Sequence, residues 1–131
     1  MIVTVVIWLL FILHGGLFVW SLGGFLEWIL PTVPWEPFSN REFPRWLLLI
    51  HWLSVLFASA GFLVGVLTRW HFTPRWMTLG YALMATVCAI ETFGYMTSPN
   101  KYFAMAGEYA AYIAILLVLF HPNFSFFSSQ S

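Results

Sequence analysis

Four stretches of this chain are long, apolar and almost free of charge, and nothing else in the sequence constrains the fold as strongly. A helix that crosses a bilayer needs about 20 mainly apolar residues. The first run covers about 3–29, with no charge before Glu27, and the second covers about 46–67, between Arg45 and Arg69. The third covers about 76–97 and carries Glu91; the fourth covers about 102–120 and carries Glu108. With 61% hydrophobic and 8% charged residues, the chain falls far short of the roughly 25% charged content of a soluble domain. The expectation is an all-α integral membrane protein: a four-helix bundle forming a single domain over residues 1–131. Short connections make successive helices neighbours, so the bundle should run up-down-up-down. The first run reads as a span rather than a cleaved signal peptide, because no basic residue precedes it and its apolar stretch is too long.

The connections agree with this division. Residues 31–45 contain Pro31, Pro34, Pro37 and Pro44, which remove backbone donors and forbid a continuous helix. The second connection is expected from Thr68 to Arg75, ending at Pro74 and Arg75, and the third is a tight turn, Ser98 to Lys101. Trp28, Trp35 and Trp46 flank the first connection, and Trp70 and Trp76 flank the second, the level that amphipathic rings prefer. Arg41, Arg45 and Lys101 on one side face Arg69 and Arg75 on the other, too even a division to fix orientation. The chain closes on a short polar tail, SFFSSQS.

Composition also excludes whole classes of function. Five basic residues balance five acidic ones, so there is no basic face for nucleic acid. The single cysteine, Cys88, excludes an internal disulfide, a Cys-x-x-Cys pair and a zinc ribbon. Aspartate is absent, and no HExxH, P-loop or GxSxG motif occurs. The chain is therefore not expected to be an enzyme on its own, and no catalytic residue or metal-ligand set is assigned.

Ionisable groups inside apolar spans are costly, which makes each one a functional candidate. At 1.5 Å of rise per residue, Glu27 lies within about 5 Å of the first-connection end of its helix and His51 about 8 Å below it. Glu91 and Glu108 each lie about 9 Å from that same side. Helical phase brings Met84, Cys88, Glu91 and Tyr95 to one face of the third helix, and Met105, Glu108 and Tyr112 to one face of the fourth. If those faces look inward, Glu91, Glu108, His51, Tyr95 and Tyr112, with Glu27 near the same end, form a proton or ligand pocket with Lys101, Arg41 and Arg45 at its mouth. A proton-bearing glutamate beside a histidine suits proton transfer or quinone contact. The same acids could instead hold the bundle in register through hydrogen bonds.

His14 lies roughly 15 Å in depth from His51, so the two are a poor pair for one haem. Either could singly ligate a chlorophyll magnesium or a haem iron. His71 and His121 fall near the opposite surface. Gly61-x-x-x-Gly65 is a small-xxx-small helix-packing pattern, and Gly16 and Gly23 lie seven residues apart on one face of the first helix.

Three segments together resemble the DoxX-like membrane proteins: Leu13-His14-Gly15-Gly16, the stretch from Gly61 through Gly65 to Thr68-Arg69, and Met84-Ala-Thr-Val-Cys88-Ala89. The resemblance implies a small four-helix bacterial-type membrane protein tied to redox systems. One branch of that family is the small subunit of a thiosulfate:quinone oxidoreductase. No catalytic residue carries over. Three readings follow. The first is an accessory subunit of a respiratory or photosynthetic electron-transfer complex, in a bacterial inner membrane or a thylakoid-type membrane. It would contact lipids and either other membrane subunits or copies of itself. The second is a quinone-reactive or proton-handling redox subunit built on the Glu/His pocket. The third is a chlorophyll- or haem-binding protein using His14 or His51.

Overall fold

The computed structural model describes residues 2–30, 43–122, 124, 126 and 127. Its four helices are α1 (Ile2–Ile29), α2 (Arg45–Thr68), α3 (Thr73–Gly94) and α4 (Lys101–Phe120), with no strand among the described residues. All four are long and apolar enough to cross a membrane. Most of the proline-rich connection, residues 31–42 with Arg41 among them, lies outside the described residues.

Local chemistry sets the helix ends. α3 starts three residues earlier than expected because Pro74 lies inside its first turn rather than closing the connection; proline's fixed φ and missing N–H suit that turn. It also stops three residues earlier, at Gly94, so Glu91 sits only about 4.5 Å of rise from the helix end. α2 ends on Arg69, whose φ of 51° is left-handed, a role usually taken by glycine. There the N–H of Trp70 reaches the Gly65 carbonyl at 3.0 Å, and the Arg69 guanidinium rests 4.7 Å above the Phe126 ring. At the other end, Trp28 Nε1 donates to the Arg45 carbonyl and Arg45 donates to the Trp28 carbonyl, both at 2.9 Å. This clamp fixes where α1 meets α2.

Each helix packs on its neighbour in sequence, α1 on α2, α2 on α3 and α3 on α4, while α1 and α4 make no backbone-level contact. The apolar core is built around Ile7, Val55, Phe62, Met77, Tyr81 and Leu119. Phe127 joins it at 3% exposure, edge-on to Phe62. The tail was expected to be polar, but its phenylalanines return to the bundle because burying a ring outweighs leaving it in water.

The glycines correct one expectation. Gly61 and Gly65 do mark close approach, but to side chains: a Cβ at Gly61 would fall on the Trp76 indole, and one at Gly65 on Thr73. Gly24, in the same way, lies beneath the ring of Trp52. Gly16 marks no close approach within the bundle, since a Cβ there meets no atom of the described residues within 4 Å. The Trp76 indole is held over Gly61 by a 3.0 Å hydrogen bond to the Phe57 carbonyl and by stacking on the Phe57 ring. Gly61→Ala should therefore cost about 1–3 kcal/mol through overpacking, whereas Gly16→Ala should be neutral or stabilise by up to ~1 kcal/mol. Thermal unfolding in mild detergent checks this; equal losses at both positions would contradict the packing.

Candidate functional site

A cavity of ≈ 320 Å³ opens within the bundle, walled by residues of all four helices. The phase of α3 that carries Met84, Cys88 and Glu91 faces it, as does the phase of α4 that carries Met105, Glu108 and Tyr112. His51 enters from α2, and His14 and Trp20 enter from α1. Four of the six proposed pocket residues, Glu91, Glu108, His51 and Tyr112, thus share one wall system.

The other two do not line it. Tyr95 lies one residue past α3, with φ −134° and ψ −33°, so the helical phase from Glu91 no longer governs it. Its ring meets Phe43 and Trp46 edge-on instead, both at 6.4 Å. Glu27 is buried in the last turn of α1. One turn earlier the Trp52 ring covers Gly24 and fills the space between α1 and α2 at that level.

The central polar contact is between His51 and Glu91. His51 Nδ1 lies 2.8 Å from Glu91 Oε1, with the side chains 23% and 9% exposed. An Nδ1–H donated to the carboxyl group leaves Nε2 with its lone pair. That carboxylate-oriented tautomer serves a base or a ligand-contacting imidazole. The ring meets two indoles edge-on, Trp20 at 5.7 Å and Trp52 at 4.6 Å between centroids, and the indoles also meet each other at 4.8 Å. Nε2 has no hydrogen-bond partner among the described residues.

Deeper in the cavity, His14 is fully buried and both its ring nitrogens are engaged. Nδ1 donates to the Leu10 carbonyl at 2.7 Å, and Nε2 accepts from the Tyr81 hydroxyl at 2.5 Å. The imidazole also stacks on Phe62 at 4.1 Å. In this arrangement neither nitrogen offers a lone pair to iron or magnesium, so His51 is the better placed of the two proposed ligands. Tyr81 in turn stacks on Tyr112, 4.8 Å between centroids and 9° from parallel, and Glu108 stands beside Tyr112 and Cys88. At the mouth, Lys101 Nζ donates to the Met96 carbonyl at 3.0 Å, capping the end of α3 with a cation.

Tyr81 was missed from the sequence, although a signal existed. Extending the Met84–Cys88–Glu91 stripe back by three residues reaches it. Among the described residues, no three His, Cys or Glu side chains converge as a metal-binding group. Comparisons with protein-family models, with curated proteins and with solved structures gave no match.

Removing the Tyr81 hydroxyl strands a buried acceptor on His14. Tyr81→Phe should cost about 1–3 kcal/mol, while the double change His14→Leu with Tyr81→Phe, which removes both partners, should cost less than the two single changes summed. Unfolding midpoints of the three variants decide it; strict additivity would show that the hydroxyl and imidazole do not depend on each other.

Proposed function

We propose that this chain is an integral membrane protein, threaded up-down-up-down, whose cavity receives the headgroup of a quinone-class lipid and handles its protons at the His51–Glu91 pair. One observation carries the reading: a carboxyl-oriented imidazole with an unengaged Nε2 faces a cavity otherwise walled largely by apolar side chains. A volume of ≈ 320 Å³ lies in the range of small-ligand pockets and suits a single substituted ring. Leu13, Leu17, Ala111 and Ile115 line the apolar part of the cavity, and the missing backbone contact between α1 and α4 leaves room for an alkyl tail to pass into the surrounding lipid.

A quinone takes up two electrons and two protons to become a quinol. In this proposal the electrons come from a partner redox protein and the chain serves the protons. His51 Nε2 meets a quinone or quinol oxygen and exchanges one proton with it. Glu91 holds the imidazole in the tautomer that permits this, and Glu108 and Tyr112 supply a second carboxyl–hydroxyl pair from α4. The reading joins two expectations, an accessory subunit of a respiratory or photosynthetic assembly and a proton-handling redox subunit. It is compatible with the DoxX-like resemblance and with a bacterial inner or thylakoid-type membrane, both of which belong to the proposal. Pigment or haem ligation is the weaker reading: His14 spends both nitrogens on protein partners, which leaves His51 as a single ligand in a cavity of ≈ 320 Å³ that suits one substituted ring rather than a macrocycle.

Trp20 and Trp52 against His51 provide a built-in reporter. A decyl-tailed benzoquinone added to the purified protein in nanodiscs should quench tryptophan fluorescence saturably. His51→Phe and Glu91→Leu should each weaken that binding about tenfold, the scale of a lost charge-assisted hydrogen bond. Thr86→Ala, on an exposed face of α3, should leave it unchanged. Quenching that never saturates, or that survives both pocket substitutions, would sink the proposal.

A further inference from the structure

The opposite end of the molecule carries a second concavity, of ≈ 500 Å³, between the start of α3 and the end of α4. Its polar rim is basic: Arg75 and His71 come from the α2–α3 side, and His121 from the residue that closes α4. Its walls are aromatic, with Phe72, Phe120 and Phe124 among them. The acidic side chains among the described residues all lie elsewhere: Glu27, Glu91 and Glu108 belong to the other ends of α1, α3 and α4.

Arg75 consequently has no carboxylate partner among the described residues, where the single ion pair is His51–Glu91. Its guanidinium sits 5.7 Å from the Phe72 ring centroid, a contact that orients the cation without neutralising it. The positive end of the α3 dipole lies at the same level and adds to the field. Cations beside an aromatic concavity at the level where a bilayer's headgroups would lie match one kind of occupant, a molecule with an anionic phosphate and a hydrocarbon tail.

We propose that this end is a binding site for an anionic phospholipid. Arg75 and His71 contact the headgroup phosphate, and an acyl chain lies along the Phe72, Phe120 and Phe124 walls. The site is separate from the cavity around His51. It requires the chain to sit in a bilayer but does not depend on quinone binding.

The test is native mass spectrometry of the intact chain, released from nanodiscs that contain equal amounts of phosphatidylglycerol and phosphatidylcholine with the same acyl chains. The wild type should retain one phosphatidylglycerol in preference to phosphatidylcholine. Arg75→Gln should reduce that preference roughly fivefold, the factor expected for one surface cation, and the double change with His71→Gln should abolish it. Arg75→Lys, which restores charge, should recover most of it, and Lys101→Gln at the start of α4 should leave it intact. Equal retention of both lipids by the wild type would overturn the proposal, and so would a preference that survives the double change. Displacement of the retained lipid by millimolar inorganic phosphate alone would show that the site reads a free anion, and would overturn the lipid assignment.

Discussion

In helices apolar enough to cross a bilayer, each buried polar side chain must find its partner inside the protein, because lipid offers none. That constraint organises this molecule, and α3 is where it is met. Tyr81 of α3 bonds His14 of α1, and Glu91 of α3 bonds His51 of α2. Trp76 of α3 reaches the Phe57 carbonyl of α2, while the Ala85 carbonyl of α3 accepts the Tyr109 hydroxyl of α4 at 2.7 Å. No buried side-chain nitrogen or oxygen among the described residues lacks a partner. Apolar packing between helices is largely indifferent to register when lipid competes for the same surfaces, so these few directional bonds choose one arrangement. The His14–Tyr81 bond matters most in this respect, since α1 and α3 have no backbone-level contact.

Much of this was legible in the sequence, and the failures have physical causes. The four helices follow from their uncharged runs, which no other structure accommodates as well. Glu91, Glu108 and Tyr112 could be placed together because helical phase is reliable within a helix. The same arithmetic failed at Tyr95, because it assumed that α3 continues past Gly94. Pro74 was read as a terminator, although proline in a first turn is as much a start signal. The small-residue pattern at Gly61 and Gly65 correctly marked close approach but could not name the Trp76 and Thr73 side chains that fill it. Gly24 carries no such pattern, and only the fold shows Trp52 against it.

The two ends of the bundle differ in character. The end with the Trp28–Arg45 clamp and Lys101 opens into a cavity whose walls hold acids, a histidine and tyrosines. The other end holds arginines and histidines over an aromatic floor, and the core beneath it is sealed by Phe62 and Phe127. A chain of cavity-lining groups runs from Glu91 and His51 at the open end through Glu108 and Tyr112 to the Tyr81–His14 pair. Beyond that pair the core is mainly hydrocarbon and aromatic, and the buried Ser59 and Thr73 hydroxyls are bonded to backbone carbonyls. In the proposed reading, that chain of groups serves a bound headgroup from the open end.

The open flank between α1 and α4 completes this logic. α1 packs on α2, α2 on α3 and α3 on α4, whereas at the seam between α1 and α4 the backbones make no close approach and side chains of both helices share one core cluster. On α4 the lining residues include Ala104 and Ala111, whose small side chains leave the volume that larger ones would occupy. A bundle selected only for stability would close that seam and fill the space with leucine or phenylalanine, as cores do at native density. Here the space is kept beside His51, whose Nε2 has no partner among the described residues. In the proposed reading, the loose seam, the small residues and the oriented imidazole share one cause, a bound occupant.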